Sequence, residues 1–227
     1  MRYYKFEYGC DNKEVGSQYP QVWDFIKGYS PENEDNGVCS LYYSNNPLFP
    51  IKAPDLSGLK LSSGAQYTDF LSNGFSNDLF ILNDKVKELL ESMNIETHHF
   101  YKAKIISLRK KMEKDYYVLK MVSENWRDID FSNSTFHEGL FDDITPVSIK
   151  SYDDFCQRYN NSNSSEVKEW NHYILADKIK MLERFYEKNL DMFQIDRVNF
   201  SWYVSERFVD GYYKNKFTGL EFEPVDI

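Results

Sequence analysis

The chain has 227 residues, enough for one large domain or two small ones with a sizeable core. Aromatic residues make up 17% of it, which argues against disorder because disordered chains are poor in aromatic rings. The 27 basic and 36 acidic residues give a formal net charge of −9, which disfavours nucleic acid as a partner because its phosphates would be repelled. An acidic surface is better matched to a basic partner.

The cysteines Cys10, Cys39 and Cys156 are widely spaced, and no CxxC motif supports a zinc or redox site. We expect them to stay reduced, as in a cytosolic protein. The first residues alternate charged and aromatic side chains, unlike a signal peptide. No apolar run approaches the roughly 20 residues that span a bilayer. The sequence therefore predicts a cytoplasmic protein without membrane contact.

The first half of the chain contains several runs typical of strands. Residues 1–60 are otherwise rich in loop signals. After residue 82, Asn83 or Asp84 can cap a helix whose apolar residues follow helical spacing as far as Met93. A charged turn is predicted at residues 109–115. The predicted strands cover residues 2–8, 79–82, 97–107 and 116–122.

The middle of the chain has mixed signals. Weaker strand patterns occur at residues 126–131 and 134–140, and loops are predicted around them as far as Asp143. Ser151, with an acid three residues later, predicts the start of a helix that ends near residue 159.

Two further features are predicted before the C-terminal stretch. Residues 160–165 are polar and of low complexity, and are the best candidate for a linker. Residues 166–188 carry apolar side chains three and four positions apart, which predicts one long helix.

The C-terminal stretch, residues 190–223, gives the clearest pattern. Two strands are predicted at residues 190–195 and 200–204, followed by a helix over residues 206–216 that Ser205 caps. Thr218 and Gly219 predict a turn out of this helix, and a strand closes the pattern.

Residues 80–86 and 202–208 follow the same order of strand, polar cap, acid, base and apolar helix residue. A duplication would produce this similarity, and so would the common way in which a strand leads into a capped helix. The predicted fold class is α+β, with mainly antiparallel sheets packed by three to four helices and possible repeated strand–helix–strand units.

Candidate catalytic and metal-binding residues are few. His98 and His99 are adjacent on a predicted strand and would point to opposite faces, so they do not predict a shared metal site. His137-Glu138 and Asp142-Asp143 could serve acid–base chemistry, but nothing in their spacing supports that use. No glycine-rich phosphate loop is present. We predict no catalytic residue, metal or cofactor.

Several segments resemble a known bacterial family. The strongest similarity lies at Asp191-Met192-Phe193-Gln194-Ile195, at residues 203–208 and at Thr218-Gly219-Leu220-Glu221-Phe222, with weaker similarity at residues 116–119 and 129–134. Together these segments resemble immunity family eleven of the polymorphic toxin systems, over about residues 60–225. The resemblance implies a cytoplasmic inhibitor that binds and neutralises a cognate toxin domain without a cofactor.

The expected organisation is a loop-rich segment at residues 1–60 followed by an immunity-like domain at residues 61–227, with a possible sub-boundary at residues 160–165. The partner would be a basic toxin protein rather than nucleic acid, and a homodimer is also allowed. An enzyme with a dispersed acid/base site and a structural, self-associating protein are the alternatives. Loop placement and charge give the candidate partner-binding residues, which are Trp126, Asp128, Asp130, Asp142 and Asp143.

Overall fold

A computed structural model describes residues 1–32, 37–41, 49–50, 52–140, 143–162 and 174–227, and of residues 140, 143 and 160–162 it describes only the backbone. The described residues contain thirteen strands and four α-helices, which confirms the predicted α+β class. The strands are β1 (Tyr3–Tyr8), β2 (Val22–Phe25), β3 (Leu59–Leu61), β4 (Phe70–Leu71), β5 (Leu79–Leu82), β6 (His98–Ser107), β7 (Met112–Met121), β8 (Thr135–Leu140), β9 (Asp143–Val147), β10 (Ile174–Lys178), β11 (Met192–Gln194), β12 (Trp202–Ser205) and β13 (Leu220–Val225). The helices are α1 (Asp84–Glu91), α2 (Tyr152–Ser162), α3 (Glu183–Glu187) and α4 (Glu206–Lys214).

The chain divides into two compact units. Unit 1 comprises residues 1–5, 123–206 and 224–227, and unit 2 comprises residues 6–122 and 207–223. This division neither uses nor tests the boundary predicted at residue 60, which stays a prediction.

Unit 2 contains a six-stranded sheet with the order β2-β3-β6-β7-β5-β4, in which β3 and β6 are parallel and the other pairs antiparallel. Its first and last strands are connected, because the Val22 N–H donates to the Ser72 carbonyl at 2.9 Å and the Gly74 N–H donates to the Val22 carbonyl at 3.0 Å. The buried Gln21 stabilises this closure by donating to Gln66 and accepting from the backbone of Ser72. The interior is largely aliphatic, with Val22, Leu59, Leu71, Ile81, Ile105 and Val118 fully buried.

Unit 1 has a core rich in aromatic rings. Its three-stranded antiparallel sheet has the order β10-β8-β9. Phe155, Phe185 and Phe193 are completely buried in a cluster that also includes Tyr3 and Trp126. Large rings such as these bury much apolar area each, which lets few side chains fill this core. A third sheet has the order β11-β12-β1-β13, and in it β11 and β12 are antiparallel.

The predicted helix over residues 166–188 is wrong where the structure describes it. Residues 163–173 lie outside the described part, and so does the end of the predicted linker. Ile174–Lys178 is strand β10, which pairs with β8, and a helix forms only at Glu183–Glu187. The backbone N–H and C=O groups of this segment bond to β8 instead of within a helix, and the helical spacing of its side chains does not reveal that pairing.

The middle segment also differs from its prediction. Residues 125–128 form a 3₁₀ helix rather than a strand, whereas β8 at Thr135–Leu140 confirms the strand predicted at residues 134–140 and contains His137 and Glu138. Asp143, which was expected in a loop, begins β9. The helix that Ser151 begins is confirmed, since the Ser151 Oγ accepts the Asp154 N–H at 3.1 Å, but it continues to residue 162.

The two predicted strand–helix–strand units are both present, and their spacing agrees. In the first unit Asp69 bonds to Asn83, and in the second Asp191 bonds to Ser205, fourteen positions later in each case. Each pair makes one side-chain hydrogen bond of 2.6 Å and one backbone hydrogen bond of 3.0 Å. Helix α1 begins at residue 84 and strand β6 begins fourteen positions later, at residue 98. Helix α4 begins at residue 206 and strand β13 begins fourteen positions later, at residue 220. This equal spacing is what a duplication predicts.

We expect Asp69→Ala to lower the free energy of unfolding by about 2–3 kcal/mol, because hydrogen bonds to a charged group are the stronger kind. The Asp69 carboxylate accepts from the Asn83 Nδ2 at 2.6 Å, the Thr218 N–H at 2.8 Å and the Thr218 Oγ1 at 2.7 Å, and Asn83 in turn caps α1. Urea unfolding measures the loss. Asp24→Ala is the control, because it removes an exposed pair with Lys60 and should change stability by less than about 1 kcal/mol. Equal losses at both sites would contradict the role given to Asp69.

Candidate partner-binding site

The 3₁₀ helix Asn125–Asp128 in unit 1 carries two of the predicted partner-binding residues. It is anchored by the buried Asn125, whose Nδ2 donates to the Gln194 carbonyl at 3.0 Å. Asn125, Trp126 and Asp128 are buried, whereas Arg127 is exposed. The short helix therefore holds one face in the core and presents the other to solvent.

The Trp126 ring lies inside a cluster of rings and is only 3% exposed. It stacks on Tyr152 at a centroid distance of 5.1 Å, lies 5.8 Å from Phe155, and has the Arg197 guanidinium 4.0 Å from its centroid. A guanidinium so close to an indole face is a favourable cation–π contact. Trp126 thus connects the 3₁₀ helix to α2 and to the turn after β11.

The Asp128 carboxylate is buried and is used inside unit 1. It accepts from the Arg184 Nε at 2.7 Å and pairs with the Lys188 Nζ at 2.5 Å, while the two cations remain 60% and 41% exposed. The Arg184 NH2 also donates to the Arg127 carbonyl at 2.6 Å. Asp128 therefore joins the 3₁₀ helix to α3 and orients the exposed Arg184.

Asp130 closes a local turn. Its carboxylate accepts from the Asn133 Nδ2 and from the Ser132 Oγ, both at 2.7 Å. The bonds from Asn133 and Ser132 hold the pKa of Asp130 below its ordinary value, so its negative charge is stabilised. Asp142 lies outside the described residues, and of Asp143 only the backbone is described. That these five residues bind a partner stays a prediction.

An open cleft of about 420 Å³ adjoins these residues. Its walls bring together parts of the chain that are distant in sequence, which are the segment around Arg127, the start of α2 and the start of α3. The residues that give it its chemical character are Arg127, Asp130, Phe131, Lys150, Tyr152 and Arg184. Nothing in the sequence pointed to Lys150 and Arg184, because no spacing marks residues that only the fold assembles.

Asp196 lies beside this cluster. Its Oδ1 is buried with no hydrogen-bond partner in the described part of the chain. The carboxylate does accept the backbone N–H of Trp126, and its Oδ2 lies 3.9 Å from the Arg197 Nε. Burial raises the pKa of Asp196 to about 6, with Arg197 acting in the opposite direction. The folded protein therefore binds this proton more tightly than the unfolded chain does.

We expect Asp196→Asn to stabilise the protein at pH 7.5 by about 1 kcal/mol, after allowance for solvent screening. The carboxylate is destabilising when charged, so the gain should be full above pH 7, should shrink as the pH falls below about 6, and should vanish below about pH 3, where the unfolded chain is protonated as well. Urea unfolding at several pH values measures this. Asp130→Asn is the control and should show the opposite sign, destabilising at neutral pH. A gain at Asp196 that does not change with pH would contradict the assignment.

His137 lies next to an acid other than those considered from the sequence. Its Nδ1 lies 2.6 Å from the Asp177 Oδ1, and the side chains of Asp142 and Asp143 are outside the described part of the chain. Within the described ranges, no group of three or more His, Cys, Asp or Glu side chains is arranged to hold a metal ion. No helix among the described residues is long and apolar enough to cross a membrane.

Fold and site together define an α+β protein with a charged cleft beside a buried tryptophan. A family model for an immunity protein family (Imm11) matches residues 42–226. The chain belongs to this immunity protein family, which confirms the resemblance noted in the sequence and extends it towards the N-terminus. No curated protein matches the chain.

Proposed function

We propose that this protein binds and neutralises a cognate bacterial toxin domain in the cytoplasm, and that it acts by binding rather than by catalysis. The observation that carries the proposal is the family match over residues 42–226. The net charge of −9 supports a basic toxin as the partner, because complementary fields accelerate the encounter of two proteins.

We propose the segment from Asn125 to Asp143 as part of the toxin-binding face. Trp126 and Asp128 would contribute by fixing its shape, since both are tied into unit 1. Asp130, Asp142 and Asp143 would lie nearer to the partner. Energetically important residues of an interface are usually few and are held rigidly before binding, as these contacts would ensure.

Co-expression with the toxin encoded next to this gene tests the proposal. We expect the protein to restore growth and to co-elute with the toxin on gel filtration, while a toxin from an unrelated system is not neutralised. The toxin recovered from the complex should regain its activity after separation and should have an unchanged mass, because binding alone modifies nothing. Persistent growth arrest with no complex would reject the immunity role, and a changed toxin mass would indicate catalysis.

A further inference from the structure

The cleft of unit 1 is locally cationic although the whole protein is acidic. Its walls carry Arg127, Lys150 and Arg184 against a single carboxylate, Asp130. The net formal charge of −9 makes such a concentration of positive charge unusual on this surface. A cleft of one sign concentrates the field that a ligand of the opposite sign experiences.

Two of the negative groups near this cleft, Asp128 and Asp130, are already hydrogen-bonded. Asp130 accepts from Ser132 and Asn133, and Asp128 is buried under its bonds to Arg184 and Lys188. These contacts hold both carboxylates in place within unit 1.

The cations are more accessible than the carboxylates. Arg184 is held by Asp128 through its Nε yet is 60% exposed, so the charge is positioned and still reachable. Arg127 contacts Glu124 at 3.5 Å, with both side chains more than half exposed, and its guanidinium lies 5.6 Å from the centroid of the Trp126 ring. Lys150 is exposed, and its backbone N–H donates to the Asp154 Oδ2 at 3.0 Å. This bond and the Lys150 charge help to hold the pKa of Asp154 below its ordinary value, and Asp154 also pairs with Arg158 at 3.0 Å. Exposed pairs contribute little, so Arg127 can exchange its contact with Glu124 for a ligand, while Arg184 keeps its bond to Asp128.

The remaining wall of the cleft combines two serines, Ser132 and Ser151, with apolar and aromatic residues. Ile129 and Phe131 are buried beneath it, and Tyr152 is 37% exposed at its edge, where its ring rests on Trp126. Arginine and lysine beside a partly exposed aromatic ring suit a carboxylate that is next to an apolar side chain. The net charge of −9 disfavours a polyanion as the ligand, since the protein as a whole would repel its phosphates.

We propose that this cleft receives an acidic peptide segment of the partner protein, with a carboxylate between Arg127, Lys150 and Arg184 and a neighbouring apolar side chain against Tyr152. The identity of the partner rests on the proposed function, but the chemistry of the cleft does not. The long-range field of the whole protein attracts a basic toxin, and the cleft fixes the orientation of the complex by accepting one acidic segment.

A peptide titration tests the chemistry of the cleft without a toxin. The probe is acetyl-Phe-Asp-Glu-Phe-amide, the matched control is acetyl-Phe-Asn-Gln-Phe-amide, and the readout is backbone amide NMR shifts together with the Trp126 indole signal. We expect the acidic peptide to shift the signals of residues 127–132 and 150–152. The double variant Arg127→Glu, Lys150→Glu should weaken peptide binding at least about tenfold, because attraction between the cations and the peptide carboxylates becomes repulsion between carboxylates. Lys85→Glu, which reverses the charge of an exposed lysine on α1 that does not line the cleft, is the control and should bind as wild type does.

The outcomes separate this proposal from the immunity role. Equal binding of both peptides, shifts confined to other surfaces, or preferential binding of inorganic phosphate or a single-stranded oligonucleotide would overturn it. If the toxin complex forms and the double variant binds as tightly as Lys85→Glu, the cleft proposal is overturned while the immunity role stands. If wild type fails to bind the toxin, the immunity role fails and the peptide titration still decides what the cleft binds.

Discussion

Gly219→Ala is expected to lower the free energy of unfolding by more than about 4 kcal/mol, in the range that only a backbone clash or a core defect reaches. Gly219 has φ = +104°, and a Cβ placed on it would lie 2.1 Å from the Phe70 carbonyl oxygen. The adjoining backbone cannot retreat easily, because the Phe70 N–H donates to the Thr218 carbonyl and the Gly219 N–H donates to the Glu14 Oε1. Urea unfolding of purified variants measures the loss.

Gly28→Ala separates the clash from the strain of a positive φ. Gly28 has φ = +91°, but a Cβ there would meet no atom within 4 Å. We expect a loss of about 1–3 kcal/mol from backbone strain alone. Similar losses at the two glycines would show that the close approach of Gly219 to Phe70 does not matter.

Trp126→Ala is expected to destabilise the protein by about 3–5 kcal/mol, because it removes a buried ring and leaves a cavity. The indole fills the space between Tyr152, Phe155 and the Arg197 guanidinium, so all three would lose their packing partner. Trp23→Ala makes the same deletion at a side chain that is 62% exposed, and should cost about 1 kcal/mol or less. Urea unfolding compares the two variants.

The same variants test whether Trp126 touches the toxin. At a temperature where Trp126→Ala is still folded, its affinity for the toxin should fall only modestly if the ring acts by positioning the cleft. A variant that keeps nearly wild-type stability and yet loses toxin binding would show that Trp126 is a direct anchor.

Local rules predicted the C-terminal stretch well. Residues 190–223 form the two strands, the helix and the final strand that alternation, capping residues and the Thr218-Gly219 turn indicated. Ser205 ends β12 directly before α4, and its hydroxyl donates to Asp191, a contact that capping rules do not foresee. The capping role of Ser205 itself stays a prediction.

The errors share one physical origin, which is that short amphipathic segments adopt the structure their neighbours allow. Ile174–Lys178 has helical spacing but pairs with β8. The Asn125–Asp128 segment has strand-forming residues around it but forms a 3₁₀ helix, in which Asn125 bonds to β11 and Asp128 bonds to α3. Such long-range pairings are not encoded in any local window.

The candidate site was predictable only in part. Charge and loop placement drew attention to Trp126, Asp128 and Asp130, which the fold does bring into one region. They did not reveal that Asp128 is buried under two cations, or that Lys150 and Arg127 line the same cleft. A count of charges gives the field of the whole molecule, whereas the character of a cleft depends on which charges the fold leaves accessible.

The most direct test of the immunity role is light scattering coupled to gel filtration of this protein mixed with the toxin encoded next to its gene. We predict a complex of defined stoichiometry that forms with wild type and with Lys85→Glu, and that dissociates in the Arg127→Glu, Lys150→Glu double variant. Two separate peaks for wild type and toxin at micromolar concentrations, with no loss of toxin activity, would contradict the account.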